Sequence, residues 1–383
     1  MGGDSLLHTF AQEAEIMTEA GVYERLREKI SLWPIKVPRT KESMEMLRMW
    51  FTEEEAEFLA HFTAPYQDAE TIDQIVENTG KPQEKVQAIV DRLVSRGLLF
   101  RFTSKSKGSV YYSLMPMIPG MFEAYFASGR ESDEKRKVAE LFEKYYMSGG
   151  GMELGASDYP FARVMPIEET ITVNKEISSG LAIFPFEKMS EFIKTSRKIA
   201  VINCACRTKK PCTHPLEVCM TFDYAAEFMV EREYGRYLSV EEALKVLEES
   251  EKAGLVHSTV NTQTKPMLIC NCCTCACVTL RGLTELHNPR AFAKSNFLPA
   301  RDDKLCDACR KCVRVCPMQA SVYHAPHDSE TPRILLMEER CIGCGLCAYH
   351  CPNKAIKLVK VRDEVPEITP KEAATRVEAE RVH

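Results

Sequence analysis

Cys306-Asp-Ala-Cys309-Arg-Lys-Cys312-Val-Arg-Val-Cys316-Pro317 is answered later in the chain by Cys341-Ile-Gly-Cys344-Gly-Leu-Cys347-Ala-Tyr-His-Cys351-Pro352. Both runs read C-x2-C-x2-C-x3-C-P, and every cysteine of the first recurs in the second 35 positions on, so the stretch is an internal repeat. A 4Fe-4S cubane needs four thiolates at tetrahedral corners. A tight C-x2-C-x2-C turn sets three of them around one centre while its backbone N–H groups can point at the sulfides, and the fourth must come from elsewhere. Zinc is the chemical rival, but a structural zinc site normally asks for two C-x2-C pairs and leaves the fourth position of each run unexplained.

The two runs resemble those of the bacterial two-cluster ferredoxins over about residues 300–360, and the resemblance implies a crossed ligand set in which each run lends its last cysteine to the other cluster. Carried over by position, Cys306, Cys309, Cys312 and Cys351 hold one 4Fe-4S cluster, and Cys341, Cys344, Cys347 and Cys316 hold the second. Pro317 and Pro352 match the proline that turns the chain away after the fourth cysteine. Gly343 and Gly345 are expected to let the second loop pass close to its cluster. The departure from the family pattern is a long insertion, Met318 to Arg340, expected to cover a sheet edge or to form a docking surface. Between Arg301 and Lys360 ten basic residues stand against seven acidic ones. Positive neighbours favour the more negative, reduced cluster and raise its potential, although an ordinary solvated surface reads equally well.

Outside the two runs the cysteine count remains unusual. All 17 cysteines lie between Cys204 and Cys351. Nine are left after the runs: Cys204, Cys206, Cys212 and Cys219, then Cys270, Cys272, Cys273, Cys275 and Cys277. Thiols in a reducing compartment are kept free, so crowded cysteines in a chain of this size point to metal or cluster ligation rather than disulfides. An extended 270–277 segment would put Cys273, Cys275 and Cys277 on one face and Cys270 and Cys272 on the other, so that one strand serves two sites. One or two further 4Fe-4S clusters are expected here, with structural zinc as the rival and reduced, buried thiols as the plain alternative. The C-x-C-R segment at Cys204 and the C-N-C-C segment at Cys270 resemble cysteine-rich regions of anaerobic multi-cluster iron–sulfur proteins. Arg207, Lys209, Lys210 and Arg281 are read as charge compensation for anionic clusters. His214 and His257 could each replace a cysteine ligand, although a lone histidine is more often structural.

At 383 residues the chain has room for two or three domains. Residues 5–32 carry an approximate helical stripe of Leu6, Leu7, Phe10, Ile16, Met17, Val22 and Leu26. A capping box at Thr52 and Glu55 opens a helix, a second follows near Ile72 to Asn78, and a third spans Pro82 to Ser95 with Val86, Ile89, Val90, Leu93 and Val94 at helical spacing. A hairpin around Ser104 to Gly108 completes three helices and two strands that resemble a winged helix. That module usually binds DNA, but from Phe51 to Leu114 ten acidic residues outnumber seven basic ones. Phosphate neutralisation needs the opposite balance, so nucleic acid is not the expected partner. Ser148-Gly-Gly-Gly151 reads as a linker, Lys198 to Asn203 as a buried strand, and Ser239 to Gly254 as a capped helix; the stretch after Val361 reads as a charged tail.

The expected fold is α+β and multidomain: a helical, winged-helix-like domain over 1–147, a cysteine-rich α/β domain over 152–299, a two-cluster ferredoxin domain over 300–360 and a tail over 361–383. No Walker A sequence, dinucleotide-binding glycine motif or nucleophile elbow is present. The start of the chain lacks a basic and apolar leader, and no apolar run reaches membrane-spanning length, so a cytoplasmic location is expected. The function expected is electron transfer, as a protein or subunit serving a flavin or metal oxidoreductase. The alternatives are a reductase with a catalytic central cluster and a redox-sensing winged-helix regulator.

Overall fold

The computed structural model describes residues 21–129, 131–172, 183–264, 266–325 and 332–382. The chain forms two compact units, Met1–Glu153 and Leu154–His383.

In the N-terminal unit the capping signals place the helices. Thr52 Oγ1 accepts from the Glu55 amide at 3.2 Å, and the Glu55 carboxylate accepts from the Thr52 amide at 3.0 Å, opening Glu53–Leu59. Ile72–Thr79 ends at Gly80, whose φ of 64° is the left-handed conformation that glycine adopts without a Cβ clash. Gln83–Ser95 buries Val86, Ile89, Val90 and Leu93 along one stripe, with Val94 half-buried beside it. The strands β1 (Phe100–Thr103) and β2 (Val110–Ser113) then pair antiparallel. Helices Phe122–Ala127 and Asp133–Tyr145 follow. Of the expected N-terminal stripe, only Val22 and Leu26 fall within the described residues, on a helix over 21–30 with Leu26 fully buried.

The glycine segment expected as a linker lies inside this unit. A Cβ on Gly150 would fall 2.3 Å from the ring of Tyr145, so the residue is glycine because the chain packs there, not because it must swing.

The second unit is built on a six-stranded sheet in the order β3 (Ala162–Val164), β7 (Val256–Val260), β8 (Leu268–Cys272), β5 (Glu217–Phe222), β4 (Ile199–Asn203), β6 (Gly235–Leu238). Every pairing in it is antiparallel. Helices Met189–Thr195 and Val240–Lys252 bury Phe192, Ile193, Ala243 and Leu247 in one apolar cluster with Ile199, Val201, Met220 and Ile269 of the strands.

Two expected boundaries do not describe this unit. Residue 300 falls inside a strand: β9 (Phe297–Arg301) precedes the first cysteine run and pairs with β12 (Ile356–Lys360), which follows the second. The ferredoxin segment is therefore tied at both ends to the residues before it. Ile167 N also donates to Cys344 O at 3.1 Å, and Thr172 N to Leu358 O at 2.9 Å. Within the insertion between the runs, β10 (Ser321–His324) and β11 (Arg333–Leu336) pair antiparallel.

The residues expected as a tail form the helix Pro370–Ala379, capped by Thr369 and Glu372, with Ala373 and Val377 buried. Gln263 N donates to Glu367 O at 2.9 Å, and Val382 N to Ala156 O at 2.9 Å. Two apolar residues four apart suffice to dock a short helix, but they make too thin a stripe to stand out among charges.

Candidate metal centres

The two cysteine runs fold as short loops closed by the helices Lys311–Val315 and Leu346–Tyr349. Cys316, Cys341, Cys344 and Cys347 line one apolar cavity together with Met318, Ile342 and Leu346. Cys306, Cys312 and Cys351 pack beside Ile334 and Ile356, with Cys347 at the edge of the same cluster. Cys309 is exposed. Backbone N–H groups reach the last cysteine of each run: Ala320 N donates to Cys316 Sγ at 3.2 Å and Ala355 N to Cys351 Sγ at 3.3 Å.

Burial pushes the Cys344 thiol up to about 12, and the neighbouring Cys316 and Cys341 add to the rise. Burial likewise raises Cys341, Cys347 and Cys312. A thiol that resists ionisation in an apolar pocket would ligate a metal as the thiolate, its proton released to solvent, because the metal's charge reverses the local balance. An all-thiol donor set with N–H groups on the sulfurs and an apolar wall fits an iron–sulfur cluster.

Gly343 and Gly345 have φ of 71° and 89°. What a side chain would meet at Gly343 is the Ser295 hydroxyl at 2.1 Å and the Phe297 carbonyl at 2.3 Å; at Gly345 it is Thr170 at 2.9 Å. The crowding comes from residues before the first cysteine run, so these glycines serve the docking of the loop onto the sheet as well as any approach to a cluster.

The central cysteines gather where β4, β5 and β8 end together. Cys204 follows β4, Cys219 lies in β5 opposite the end of β4, and Cys270 and Cys272 occupy β8. The register that sets Met220 against Ile269 brings Cys219 to Cys270. Side-chain contacts then run Cys204 to Cys206, Cys206 to Cys277, Cys277 to Cys272, Cys272 to Cys270, Cys270 to Cys219 and Cys219 back to Cys204, a closed ring of six thiols.

Hydrogen bonds from Cys206 and Cys219 hold the Cys204 thiol well below its ordinary range, with Arg207 assisting. Cys272 comes down to about 6 through hydrogen bonds from Cys270 and Cys277. The hydrogen bonds of the ring thus favour ionisation at Cys204 and Cys272 and oppose it at Cys206, Cys219 and Cys270.

The remaining three central cysteines stand apart from the ring. Cys212 Sγ lies 3.8 Å from Cys273 Sγ and 3.5 Å from His214 Nδ1, and Cys275 Sγ lies 3.9 Å from the same nitrogen.

The condition of an extended 270–277 segment, which would have put Cys273, Cys275 and Cys277 on one face, is not met. The strand ends at Cys272, the next residues turn, and Cys277 caps the helix Val278–Thr284. Cys270 and Cys272 do share a face, but Cys277 turns back to join them, while Cys273 and Cys275 point to the other group. The turn has neither glycine nor proline to announce it.

The two histidines separate as well. His257 is buried with Nδ1 2.5 Å from Asn271 Oδ1 and Nε2 3.1 Å from Glu251, so both ring nitrogens are engaged away from the thiols. His214 belongs to the three-cysteine group.

Arg207, Lys209 and Arg281 are buried, and Arg281 Nε donates to Glu285 at 2.8 Å. Arg207 lies between the two thiol groups: its Nε donates to Cys273 Sγ at 3.5 Å, its remaining nitrogens reach the carbonyls of Pro215 and Asn271, and its charge also acts on Cys204. A buried cation at this place offsets thiolate charge on both sides.

Residues 305–364 match the family model of the 4Fe-4S dicluster domain. This part of the chain is therefore a ferredoxin-type 4Fe-4S segment. An archaeal-type glutamate synthase (NADPH) from Thermotoga sp. strain RQ2 is 38% identical over 64 residues, 17% of this chain and 12% of that protein. Hydrogenase-4 component A of Escherichia coli K12 is 36% identical over 92 residues, 23% of this chain and 40% of that protein. NADH-quinone oxidoreductase subunit I of Carboxydothermus hydrogenoformans is 55% identical over 29 residues, 8% of this chain and 21% of that subunit. The chain spans less than half the length of each of these relatives. No helix among the described residues is long and apolar enough to cross a membrane.

Proposed function

We propose that this chain is a cytoplasmic iron–sulfur electron-transfer protein or subunit, delivering electrons to or taking them from a flavin or metal oxidoreductase. The observation that carries the reading is the match of residues 305–364 to a 4Fe-4S dicluster domain, in a segment whose thiols fall into two neighbouring groups. Cys341, Cys344, Cys347 and Cys316 would hold one cluster and Cys306, Cys309, Cys312 and Cys351 the other. The shared cavity of the first set and the packing of Cys351 beside Cys306 and Cys312 support this crossed assignment. When bound, 4Fe-4S clusters supply one-electron carriage without bond making.

The chain's own part is to hold and insulate them. The apolar wall of Met318, Ile342, Leu346 and Leu358 excludes water from the first set, and the amides on Cys316 and Cys351 stabilise negative charge on sulfur. The six-thiol ring is proposed to hold a further iron–sulfur centre, since its donors are all soft sulfurs gathered at one end of the sheet. Hydrogenase-4 component A and NADH-quinone oxidoreductase subunit I are by name parts of larger oxidoreductases, which supports a protein partner here too.

The winged-helix-like region is assigned to docking rather than to DNA. Its third helix spends its cations internally: Lys85 pairs with Glu54 at 2.7 Å, Arg92 with Glu54 and Glu55 at 3.4 Å each, and Arg96 with Glu55 at 3.2 Å. Phosphate contacts would have to break those pairs.

An anaerobic reductive titration tests the proposal. The visible absorbance of the full chain should bleach by at least about two electrons per molecule and return on adding an equivalent of oxidised viologen. Absorbance that does not respond, or does not return, would refute an electron-carrying role.

A further inference from the structure

Cubane ligands and single-ion ligands are spaced differently. Cysteine sulfurs around a 4Fe-4S cluster stand about 6 Å apart, because four metal ions and four sulfides lie between them. Around one tetrahedral ion with bonds of about 2.3 Å to sulfur and 2.0 to 2.1 Å to nitrogen, the sulfurs stand about 3.8 Å apart and each about 3.5 Å from the nitrogen.

The group outside the six-thiol ring has the second spacing. Cys212 and Cys273 are 3.8 Å apart, and His214 Nδ1 is 3.5 Å from Cys212 and 3.9 Å from Cys275. All four ligand atoms lie within 4.8 Å of one another. We propose that Cys212, His214, Cys273 and Cys275 form a mononuclear, structural zinc site of the Cys3His type, separate from every iron–sulfur centre of the chain.

The chemistry of the surroundings fits. Three thiolates and a neutral imidazole around a dication leave one net negative charge, and Arg207 supplies the compensating cation through its bond to Cys273 Sγ at 3.5 Å. Four protein ligands close the coordination shell, as structural rather than catalytic zinc requires. The ion would join two segments that no strand pairing joins: the loop between β4 and β5, which carries Cys212 and His214, and the turn after β8, which carries Cys273 and Cys275. Both segments lead directly into the six-thiol ring, at Cys219 and at Cys277. The zinc would thus fix the mouth of that ring, and the 6 + 3 division of the central cysteines would leave none of the nine without a role.

This proposal does not depend on what the six-thiol ring or the C-terminal runs bind. Its test is elemental analysis of the full-length protein, purified anaerobically without chelator, together with zinc-edge X-ray absorption. About one zinc per chain is expected, with a first shell of three sulfurs at about 2.3 Å and one nitrogen at about 2.0 Å. Cys212→Ser and Cys275→Ser should each lose the zinc and keep the iron of the unsubstituted protein.

Absence of zinc from the wild-type protein would overturn the proposal, and so would zinc with a four-sulfur shell. Loss of several irons from Cys275→Ser with no change in zinc would assign these residues to a cluster instead. The X-ray measurement needs no variant, so a substitution that fails to fold does not decide the question.

Discussion

Lys360 is 2% exposed, and its ammonium lies 3.1 Å from the fully buried carboxylate of Glu187. Glu187 also accepts from Phe184 N at 2.8 Å and from Asn296 Nδ2 at 2.8 Å, while Lys360 sits 4.3 Å over the Phe184 ring and 2.8 Å from Asp363. The pair links the last strand of the ferredoxin segment to the stretch between β3 and β4. In Lys360→Met, Glu187 keeps its two N–H donors and loses its direct ion-pair partner. Removing one partner of a buried pair costs about 3–5 kcal/mol, because the other charge remains buried. For a unit of this size, that corresponds to a fall in melting temperature of about 6–20 °C.

The double substitution Glu187→Gln with Lys360→Met removes both charges and should recover a substantial part of the loss, giving a coupling energy of at least about 1.5 kcal/mol in the cycle. The assay is anaerobic denaturant unfolding of the full chain followed by circular dichroism, with all four proteins compared. A loss below about 1 kcal/mol for Lys360→Met, or strictly additive effects, would show instead that water or a rearranged cation replaces the lysine and that the two charges are not coupled.

Gly343→Ala should destabilise the second cysteine loop by about 2–4 kcal/mol and lower iron content, since its Cβ meets the Phe297 carbonyl at 2.3 Å in a left-handed conformation. Cys316→Ser should remove the cluster assigned to Cys341, Cys344 and Cys347, not the one assigned to the run in which Cys316 itself lies; iron analysis with EPR would show one cluster left, and tagging the freed thiols would identify which. In the N-terminal unit the Arg27 hydrogen bond, with Arg39 nearby, holds the Glu24 carboxyl below its ordinary 4.5. A depressed carboxyl contributes stability that is fully present above about pH 4.5 and lost as pH falls through the lower folded value. The stability gap between wild type and Glu24→Gln should therefore hold at pH 7 and close in acid, and a gap independent of pH would contradict it.

Elements set by one local signal are legible in the sequence. Thr52 with Glu55, Gly80, and Ser239 with Glu242 announce helix ends because capping is a contact within a few residues. The two C-x2-C-x2-C-x3-C-P runs announce their chemistry for the same reason. Contacts between distant residues stayed hidden. Nothing near Phe297 says that it will pair with Lys360, so the boundary at 300 was placed inside a strand. The helix Pro370–Ala379 has only Ala373 and Val377 to bury and looked like a tail. The division of the central cysteines turns on the chain leaving the sheet after Cys272, and on His214 standing beside residues some sixty positions away. Alternation along a strand was the right rule up to Cys272 and the wrong one beyond it.

Iron in the C-terminal segment underlies the electron-transfer role, so the deciding measurement is iron and acid-labile sulfide per chain in anaerobically purified protein, paired with EPR of the dithionite-reduced form. About eight irons and eight sulfides are expected from the two crossed sets, about four or more of each beyond that from the six-thiol ring, and the split signals of two neighbouring reduced clusters. Four irons or fewer in the fully loaded protein, or zinc at the C-terminal cysteines in place of iron, would contradict that role.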